Sequence, residues 1–310
     1  MTNIKKIGLT ALAGSLAATS AYAGALDVTG TAKLTYVSQD ETEVTGNPFS
    51  MNKGIGFAGS GDLDNGMSIA YGYTMSDAAF SSSTLKLDMG DMGVASFASE
   101  SGLTGISAYD DKMPTAGEEV WDDMDGQANG VATIEDAGTL GYTNSFGMFG
   151  VSLSYNPDAG ATTSESSQSM VLTAAPADGV SIFLGLGDKA GASPAGNSTD
   201  LQTLGGTYAT GPITVGLQTT RMDSPTAAAD IDRNAAAISF AVNENMSVSY
   251  GMSTVEFEAT AKVDQEDSGF AVSYTMGSMT IAAFANASDN VGGSSGTDDT
   301  VKEISVAFAF

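Results

Sequence analysis

The amino-acid sequence predicts an all-β protein, a sixteen-stranded antiparallel transmembrane β-barrel. Three observations support this fold class: period-two alternation of apolar and polar residues, sixteen segments that show it, and connections that are alternately short and long. After residue 23 no run of about 18 apolar residues occurs, so a transmembrane helix is not predicted. A closed barrel is the other structure that satisfies every backbone hydrogen bond within a bilayer.

The N-terminus has the pattern of a secretory signal peptide. Lys5 and Lys6 precede an apolar stretch from Ile7 to Ala18, and Ala21-Tyr22-Ala23 is a small-x-small cleavage site. The alternative is an ordinary N-terminal helix, although Gly14 and Ser15 interrupt the apolar stretch. We therefore expect residues 1–23 to be a removed signal peptide and residues 24–310 to form one β-barrel domain.

The composition excludes several classes of function. The net charge of −26 repels phosphates, so nucleic acid is not expected as a partner. Cysteine and histidine are both absent, which removes disulfides, thiol chemistry and the commonest general base and metal ligand. The chain is therefore not expected to be an enzyme. Because 42% of its residues are hydrophobic, it can nevertheless fold despite its acidity.

The alternation distinguishes two faces in each segment. In the first segment the even positions from Leu26 to Tyr36 are apolar or small, and the odd positions from Asp27 to Thr35 are polar. A soluble β-sandwich also alternates. However, the polar faces here consist mostly of Ser, Thr, Gly, Ala and Gln, which suits a wet lumen better than a surface in bulk water.

Sixteen segments can be delimited, and the turns between them alternate in length as in outer-membrane barrels with periplasmic turns and extracellular loops. The predicted strands are 26–38, 51–61, 66–76, 81–90, 93–99, 138–145, 149–156, 168–176, 180–187, 202–209, 213–220, 235–243, 246–254, 267–276, 279–287 and 301–310.

The last segment carries a more specific signal. Ile304, Val306, Phe308 and Phe310 alternate up to the final residue. This pattern resembles the C-terminal strand of Gram-negative outer-membrane proteins, whose terminal aromatic residue is read by the barrel-assembly machinery. The resemblance implies that Phe310 binds that machinery. The alternative is a hydrophobic strand that ends the chain by chance.

Residues 24–310 as a whole resemble the general porins of Gram-negative bacteria, most closely the alphaproteobacterial type. The segment Gly54-Ile55-Gly56-Phe57-Ala58-Gly59 is similar to the second strand of that family. The resemblance implies a homotrimer of barrels in outer-membrane lipid, a water-filled channel for passive diffusion of small hydrophilic solutes, and a long third loop folded inward. Two departures are Gly54, where many members have a lumen-facing arginine, and a very short second loop, Asp77 to Phe80, where some members have a longer loop that latches a neighbouring subunit.

The third long connection, residues 100–137, is the candidate constriction. Its acidic residues include Asp110, Asp111, Glu118, Glu119, Asp122, Asp123 and Asp125. If the loop folds inward, these carboxylates concentrate cations and repel anions. By parity Lys33 and Lys86 face the lumen and are candidates for the basic side of the constriction. The alternatives are an acidic loop exposed on the outside and lysines that extend to the barrel rim.

Asp122, Asp123 and Asp125, followed by Gly126, resemble part of a calcium loop. The full EF-hand spacing fails because no bidentate Glu follows at the required offset. Calcium is the one cofactor that the sequence suggests, and no other is expected.

Two further functions compete with a general diffusion channel. A substrate-specific channel would have the same fold with a binding site in the constriction. A surface adhesin or an outer-membrane hydrolase belongs to another class, but no recognisable nucleophile site supports the latter. Outward-facing Gly30 and Ala32 suit a subunit contact, so the first strand is predicted to form part of the trimer interface.

Overall fold

The computed structural model describes residues 26–39, 46–77, 79–99, 103–120, 138–157, 166–190, 198–225 and 229–310. Within them sixteen strands form one closed antiparallel barrel, in which each strand pairs with its neighbours in sequence and β1 pairs with β16. The strands are β1 Asp27–Gln39, β2 Phe49–Asp62, β3 Ser68–Ser76, β4 Ala79–Asp88, β5 Val94–Ala98, β6 Thr139–Phe146, β7 Phe149–Asn156, β8 Ser167–Ala174, β9 Val180–Lys189, β10 Thr199–Thr210, β11 Ile213–Asp223, β12 Ile231–Asn243, β13 Met246–Phe257, β14 Gln265–Met276, β15 Met279–Asp289 and β16 Asp299–Ala309.

All sixteen predicted strands are confirmed. Short 3-10 helical turns occur at Gly90–Met92, Gly105–Tyr109 and Val291–Gly293. No helix in the described part of the chain is long and apolar enough to cross a bilayer. The predicted signal peptide, residues 1–23, lies outside the described residues and stays a prediction.

The barrel closes between its first and last strands. Nine residue pairs join β1 to β16, from Thr31 opposite Ala309 to Gln39 opposite Val301. The ladder continues one pair further, because the amide of Gly30 donates to the carbonyl of Phe310 at 3.0 Å and the amide of Phe310 donates to Gly30 at 2.8 Å. The final residue therefore takes part in the seam.

The outer and inner faces differ as the alternation predicts. On β11, Leu217 is 67% exposed, whereas its neighbour Gln218 is 4% exposed and faces inward. Phe270 and Ala271 on β14 show the same contrast. Large apolar side chains thus cover the outside of the barrel, where lipid would contact them, and do not meet in a dry core.

The strands are shorter on one side of the barrel than on the other, so the wall is lower on that side. Strands β3 to β8 contain 5 to 10 residues, whereas β9 to β16, β1 and β2 contain 10 to 14. On the low side only residues 77 and 78 connect β3 to β4, and Asp77 adopts a left-handed conformation with φ 54°. The predicted short second loop is therefore present.

The inner face departs from the expected polar lumen on one side. Apolar side chains face inward and are buried on several of the strands from β8 to β16; these are Val171, Phe183, Leu201, Val255, Ala271, Phe284 and Val301. Apolar groups in contact with pore water would be unfavourable, so another element must cover this part of the wall.

Candidate pore constriction

The third loop begins by packing onto the inner face of β7 to β10. Ile106 is fully buried among Val171, Phe183 and Leu201. The amide of Gly105 donates to the hydroxyl of Ser152 at 2.8 Å, and that of Ile106 donates to Ser169 at 2.9 Å. Serine hydroxyls of the wall thus satisfy backbone groups of the buried loop, as burial requires.

Gly105 is required at this point by conformation and by space. Its φ of +66° is left-handed, a region that glycine enters without steric cost. A Cβ there would collide with the hydroxyls of Ser154 and Ser169. The loop approaches the wall closely because residue 105 has no side chain.

The middle of the loop is held by β11. The Gln218 side chain accepts a hydrogen bond from the amide of Lys112 at 2.9 Å and donates to the carbonyls of Tyr109 and Asp110 at 2.8 and 3.0 Å. One amide side chain thus satisfies three backbone groups of the loop.

The end of the described loop reaches β13 to β15. The amide of Ala116 donates to Ser249 at 2.8 Å, and Asn286 donates to the carbonyl of Glu119 at 2.8 Å. Val120 packs over Gly251, where a Cβ would lie 2.8 Å from its Cγ1. Residues 103–120 therefore cross the inner wall from β7 to β15, and this part of the third loop folds into the barrel.

Lys33 joins the loop to the seam of the barrel. Its Nζ lies 3.0 Å from Oε1 of Glu118 on the loop and 2.9 Å from Oε1 of Glu303 on β16. Glu303 is 5% exposed, whereas Lys33 and Glu118 are 30% and 38% exposed, so the cluster extends from the inner wall to the pore. The predicted inward orientation of Lys33 agrees with these contacts, and the lysine neutralises part of the charge of two carboxylates.

Arg233 lies on the inner wall, although the predicted strand, which begins only at residue 235, would leave it in the preceding loop. The strand starts at Ile231, so alternation puts Arg233 on the inner wall beside Ala235. Its side chain is 1% exposed, and its Nη2 lies 3.9 Å from Oδ2 of Asp111 on the loop.

Asp267 and Glu303 are acidic inner-wall residues that the sequence analysis also did not single out. Asp267 accepts hydrogen bonds from Ser253 and Ser288 at 2.7 Å each, and from Gln265 at 2.9 and 3.0 Å. Both acids share parity with inward-facing neighbours, which is the signal that could have identified them.

Tyr109 and Lys112 form a pair on the loop itself. The Lys112 ammonium lies 5.1 Å from the centre of the Tyr109 ring, within the range of a cation–π contact. The ring also packs against Phe183 at 5.2 Å between centroids. Burial raises the pKa of the Tyr109 hydroxyl above its ordinary value, because the phenolate would be poorly solvated there.

The wall opposite the loop, on β2 to β5, carries little charge. Its inward positions are mostly small or hydroxyl-bearing, among them Gly54, Gly56, Gly72, Thr74, Thr84 and Ser96. Lys86 shares their parity, is exposed, and has no ion pair within the described part of the chain. Lys53 points outward and lies 3.1 Å from Asp77.

The structure thus brings four predicted acids, Asp110, Asp111, Glu118 and Glu119, into the barrel on one loop. Asp122, Asp123 and Asp125 lie outside the described residues, so the calcium hypothesis stays a prediction. Where the structure does describe the chain, no group of three acidic residues is arranged to hold a metal ion.

Comparison with known proteins decides the family. The model of the Gram-negative porin family matches residues 8–310. The chain belongs to the Gram-negative porins. It is therefore an outer-membrane channel protein, and the family consists of channels rather than enzymes. A search of curated protein sequences found no match.

Solved porin structures resemble the whole barrel. The anion-selective porin of Comamonas acidovorans is 17% identical, with a TM-score of 0.66 over 92% of this chain and 99% of that one. OmpT of Vibrio cholerae is 13% identical, with a TM-score of 0.68 over 92% and 97%. A mutant of the Rhodopseudomonas blastica porin is 14% identical, with a TM-score of 0.65 over 92% and 100%. At these identities the likeness shows the fold alone.

Proposed function

We propose that this porin is a passive, water-filled channel for small hydrophilic solutes and that it prefers cations. The observation that supports the proposal is the acidic third loop inside the barrel, opposite a wall with a single described lysine. Passing solutes therefore meet carboxylates on one side and mostly neutral groups on the other. Rings of Asp and Glu raise the local concentration of cations.

The charges of the described loop and inner wall are unequal. By parity and burial, the inward acids are Asp27, Asp62, Asp88, Asp110, Asp111, Glu118, Glu119, Asp267, Asp299 and Glu303, and the inward bases are Lys33, Lys86, Lys112, Lys189 and Arg233. Two of these bases, Lys33 and Arg233, already lie beside carboxylates. The remaining field favours cations. The selectivity of the Comamonas acidovorans porin does not transfer to this chain, because the two sequences share only 17% identity.

The test is planar-bilayer recording of the refolded protein. A general porin should give large, stepwise, ohmic conductance, and a KCl gradient should give a reversal potential of the sign set by potassium. Conductance that saturates with one solute would favour the substrate-specific channel instead. A current carried mostly by chloride would refute the cation preference.

The loop variant Glu118→Gln/Glu119→Gln should lower the ratio of potassium to chloride permeability. Its matched control is Asp232→Asn/Glu256→Gln, which removes the same charge from the opposite, outward faces of β12 and β13. An equal effect of both variants would show that overall charge, rather than the loop, sets the preference. Asp122→Asn/Asp123→Asn/Asp125→Asn tests the remaining predicted acids in the same way.

We further propose that three barrels associate in the outer membrane and that β1 contributes to the interface. Gly30 and Ala32 are small, outward-facing residues on β1, and only β2 separates this strand from the low side of the wall. Phe310 would be recognised by the barrel-assembly machinery. Chemical cross-linking of unheated protein should give a trimer, and a bulky Ala32→Trp substitution should weaken it. A monomer in the wild type would contradict this assembly.

Calcium binding by Asp122, Asp123 and Asp125 is a separate proposal. Hard oxygen ligands of this kind suit Ca²⁺. Isothermal titration of the folded porin with Ca²⁺ should show binding that the triple Asn variant loses. Equal heats of Ca²⁺ titration for the wild type and the triple variant would refute this proposal.

A further inference from the structure

The protein has two arginines, and they occupy opposite sides of neighbouring strands. Arg221 on β11 faces outward, is 49% exposed, and lies 2.8 Å from Asp223. Arg233 on β12 faces inward and is 1% exposed. A guanidinium stays charged when buried, so Arg233 needs carboxylates close to it.

Two kinds of carboxylate act on Arg233. Asp111 belongs to the third loop, and its Oδ2 lies 3.9 Å from the guanidinium. The negative charge of Asp267, on β14 of the wall, also acts on Arg233. Asp267 is fixed in place by Ser253, Ser288 and Gln265. The guanidinium therefore lies close to an acid of the loop, and the charge of a fixed acid of the wall acts on it as well.

Asp111 is itself part of the local loop structure. Its Oδ1 accepts a hydrogen bond from the amide of Met113 at 2.7 Å, and its own amide donates to Asp110 at 2.8 Å. The next residue, Lys112, is bound by Gln218. A shift of the Asp111 carboxylate would therefore also move the turn at residues 110–113.

We propose that Arg233 is the positioning residue of the constriction, which holds the third loop against the wall through its ion pair with Asp111. Without it the carboxylate of Asp111 would face the acidic inner wall with no counter-ion, and the loop would move away from the wall more often. The position of the loop determines the distance between its acids and the path of the ions. The expected effect on ion selectivity rests on the proposed function; the expected effect on loop position does not.

The absence of native cysteine allows a direct test of loop position. Ser107→Cys is nearly isosteric and places one thiol in the buried turn, four residues before Asp111, where Ser107 is 4% exposed. A small, water-soluble thiol reagent should label it slowly in the refolded porin. Adding Arg233→Met should accelerate labelling about tenfold, whereas Arg221→Met, the matched loss of an outward arginine, should leave the rate unchanged.

Further variants separate this mechanism from general loosening. Arg233→Lys keeps the charge but not the planar fork, so its labelling rate should be intermediate. Asp111→Asn combined with Arg233→Met removes the loop carboxylate that has lost its counter-ion and should restore slow labelling. Heat-modifiable mobility on detergent gels should confirm that each barrel has folded.

Equal labelling rates for Arg233→Met and Arg221→Met would overturn the proposal. So would a double variant that reacts as fast as Arg233→Met alone, because the arginine would then not act through Asp111. If any variant does not fold, single-channel recordings of Arg233→Lys provide the second measurement: increased open-channel current noise relative to wild type supports the proposal, and unchanged noise contradicts it. If the wild type prefers chloride, the proposed function fails while the labelling comparison still decides the role of Arg233.

Discussion

Substitution of Lys33 by methionine tests how the inner wall sets the selectivity of the channel. Methionine keeps most of the volume of the lysine stem and removes its charge. In the wild type this charge lies within 3.0 Å of Glu118 and 2.9 Å of Glu303. After substitution both carboxylates lose their counter-ion, so the constriction becomes more negative by one elementary charge. We expect the preference for cations to increase.

The size of the effect follows from the distance to the permeating ion. One charge at about 10 Å contributes ~0.4 kcal/mol in water, and screening at 0.1 M salt reduces this to ~0.15 kcal/mol. Cations gain and anions lose this energy, so their difference changes by ~0.3 kcal/mol, or about 1.6-fold in the permeability ratio. The low dielectric of the barrel wall makes this a lower bound.

The assay is the reversal potential of single channels in a KCl gradient. Lys53→Met is the matched control, because Lys53 on β2 carries the same charge and also pairs with an acid, but points to the outside of the barrel. The control should keep the wild-type permeability ratio. A ratio that stays constant or falls for Lys33→Met would refute the placement of Lys33 beside the ion path.

Three further predictions concern the loop and the seam. Gly105→Ala should detach the start of the third loop, because its Cβ collides with Ser154 and Ser169. Limited proteolysis should then cut within residues 103–120 faster than in the control Gly138→Ala, whose glycine also has positive φ but whose added Cβ would meet no described atom within 4 Å. Because the pKa of Tyr109 is raised, loop packing should be at full strength below the ordinary tyrosine pKa of 10.0 and should weaken as the pH rises through the raised value. An ultraviolet titration of tyrosinate should therefore lose its highest-pH component in Tyr109→Phe. An unchanged titration curve would contradict this. Deletion of Phe310 removes two backbone hydrogen bonds of the seam and should lower the temperature at which the barrel unfolds on heat-modifiable gels, whereas Phe310→Leu, which keeps the backbone, should lower it less.

The number and order of the strands could be predicted from alternation alone, but the ends of several strands that adjoin the long loops could not. Observed strands extend beyond the predicted ones where charged residues replace the apolar face, as at Asp223, Glu256 and Asp289. There the outward positions have left the apolar band, so hydrophobic periodicity stops while backbone pairing continues. For the same reason the predicted start of β12 was four residues too late, so Arg233 was not predicted to lie on the inner wall.

The site was predictable only in part. The acids of residues 110–119 could be identified because they are dense in sequence, and Lys33 because it shares parity with polar neighbours. The wall that receives the loop could not be recognised in advance. Inward-facing Val171, Phe183 and Leu201 depart from the pattern of a polar lumen. They are apolar because they pack against Ile106, which is distant in sequence.

The inner wall from β7 to β15 therefore serves the loop rather than the solute. Its polar side chains Ser152, Ser169, Gln218, Ser249 and Asn286 bind loop backbone, and its apolar side chains pack under loop residues. Groups engaged in this way cannot also coordinate a passing ion. The residues that contact the solute and set selectivity must then lie on the free side of the loop, at the seam around Lys33, and on the opposite wall with Lys86. Substitutions that alter selectivity without altering loop position should concentrate in those three places, whereas substitutions of inward residues on β7 to β15 should change both together.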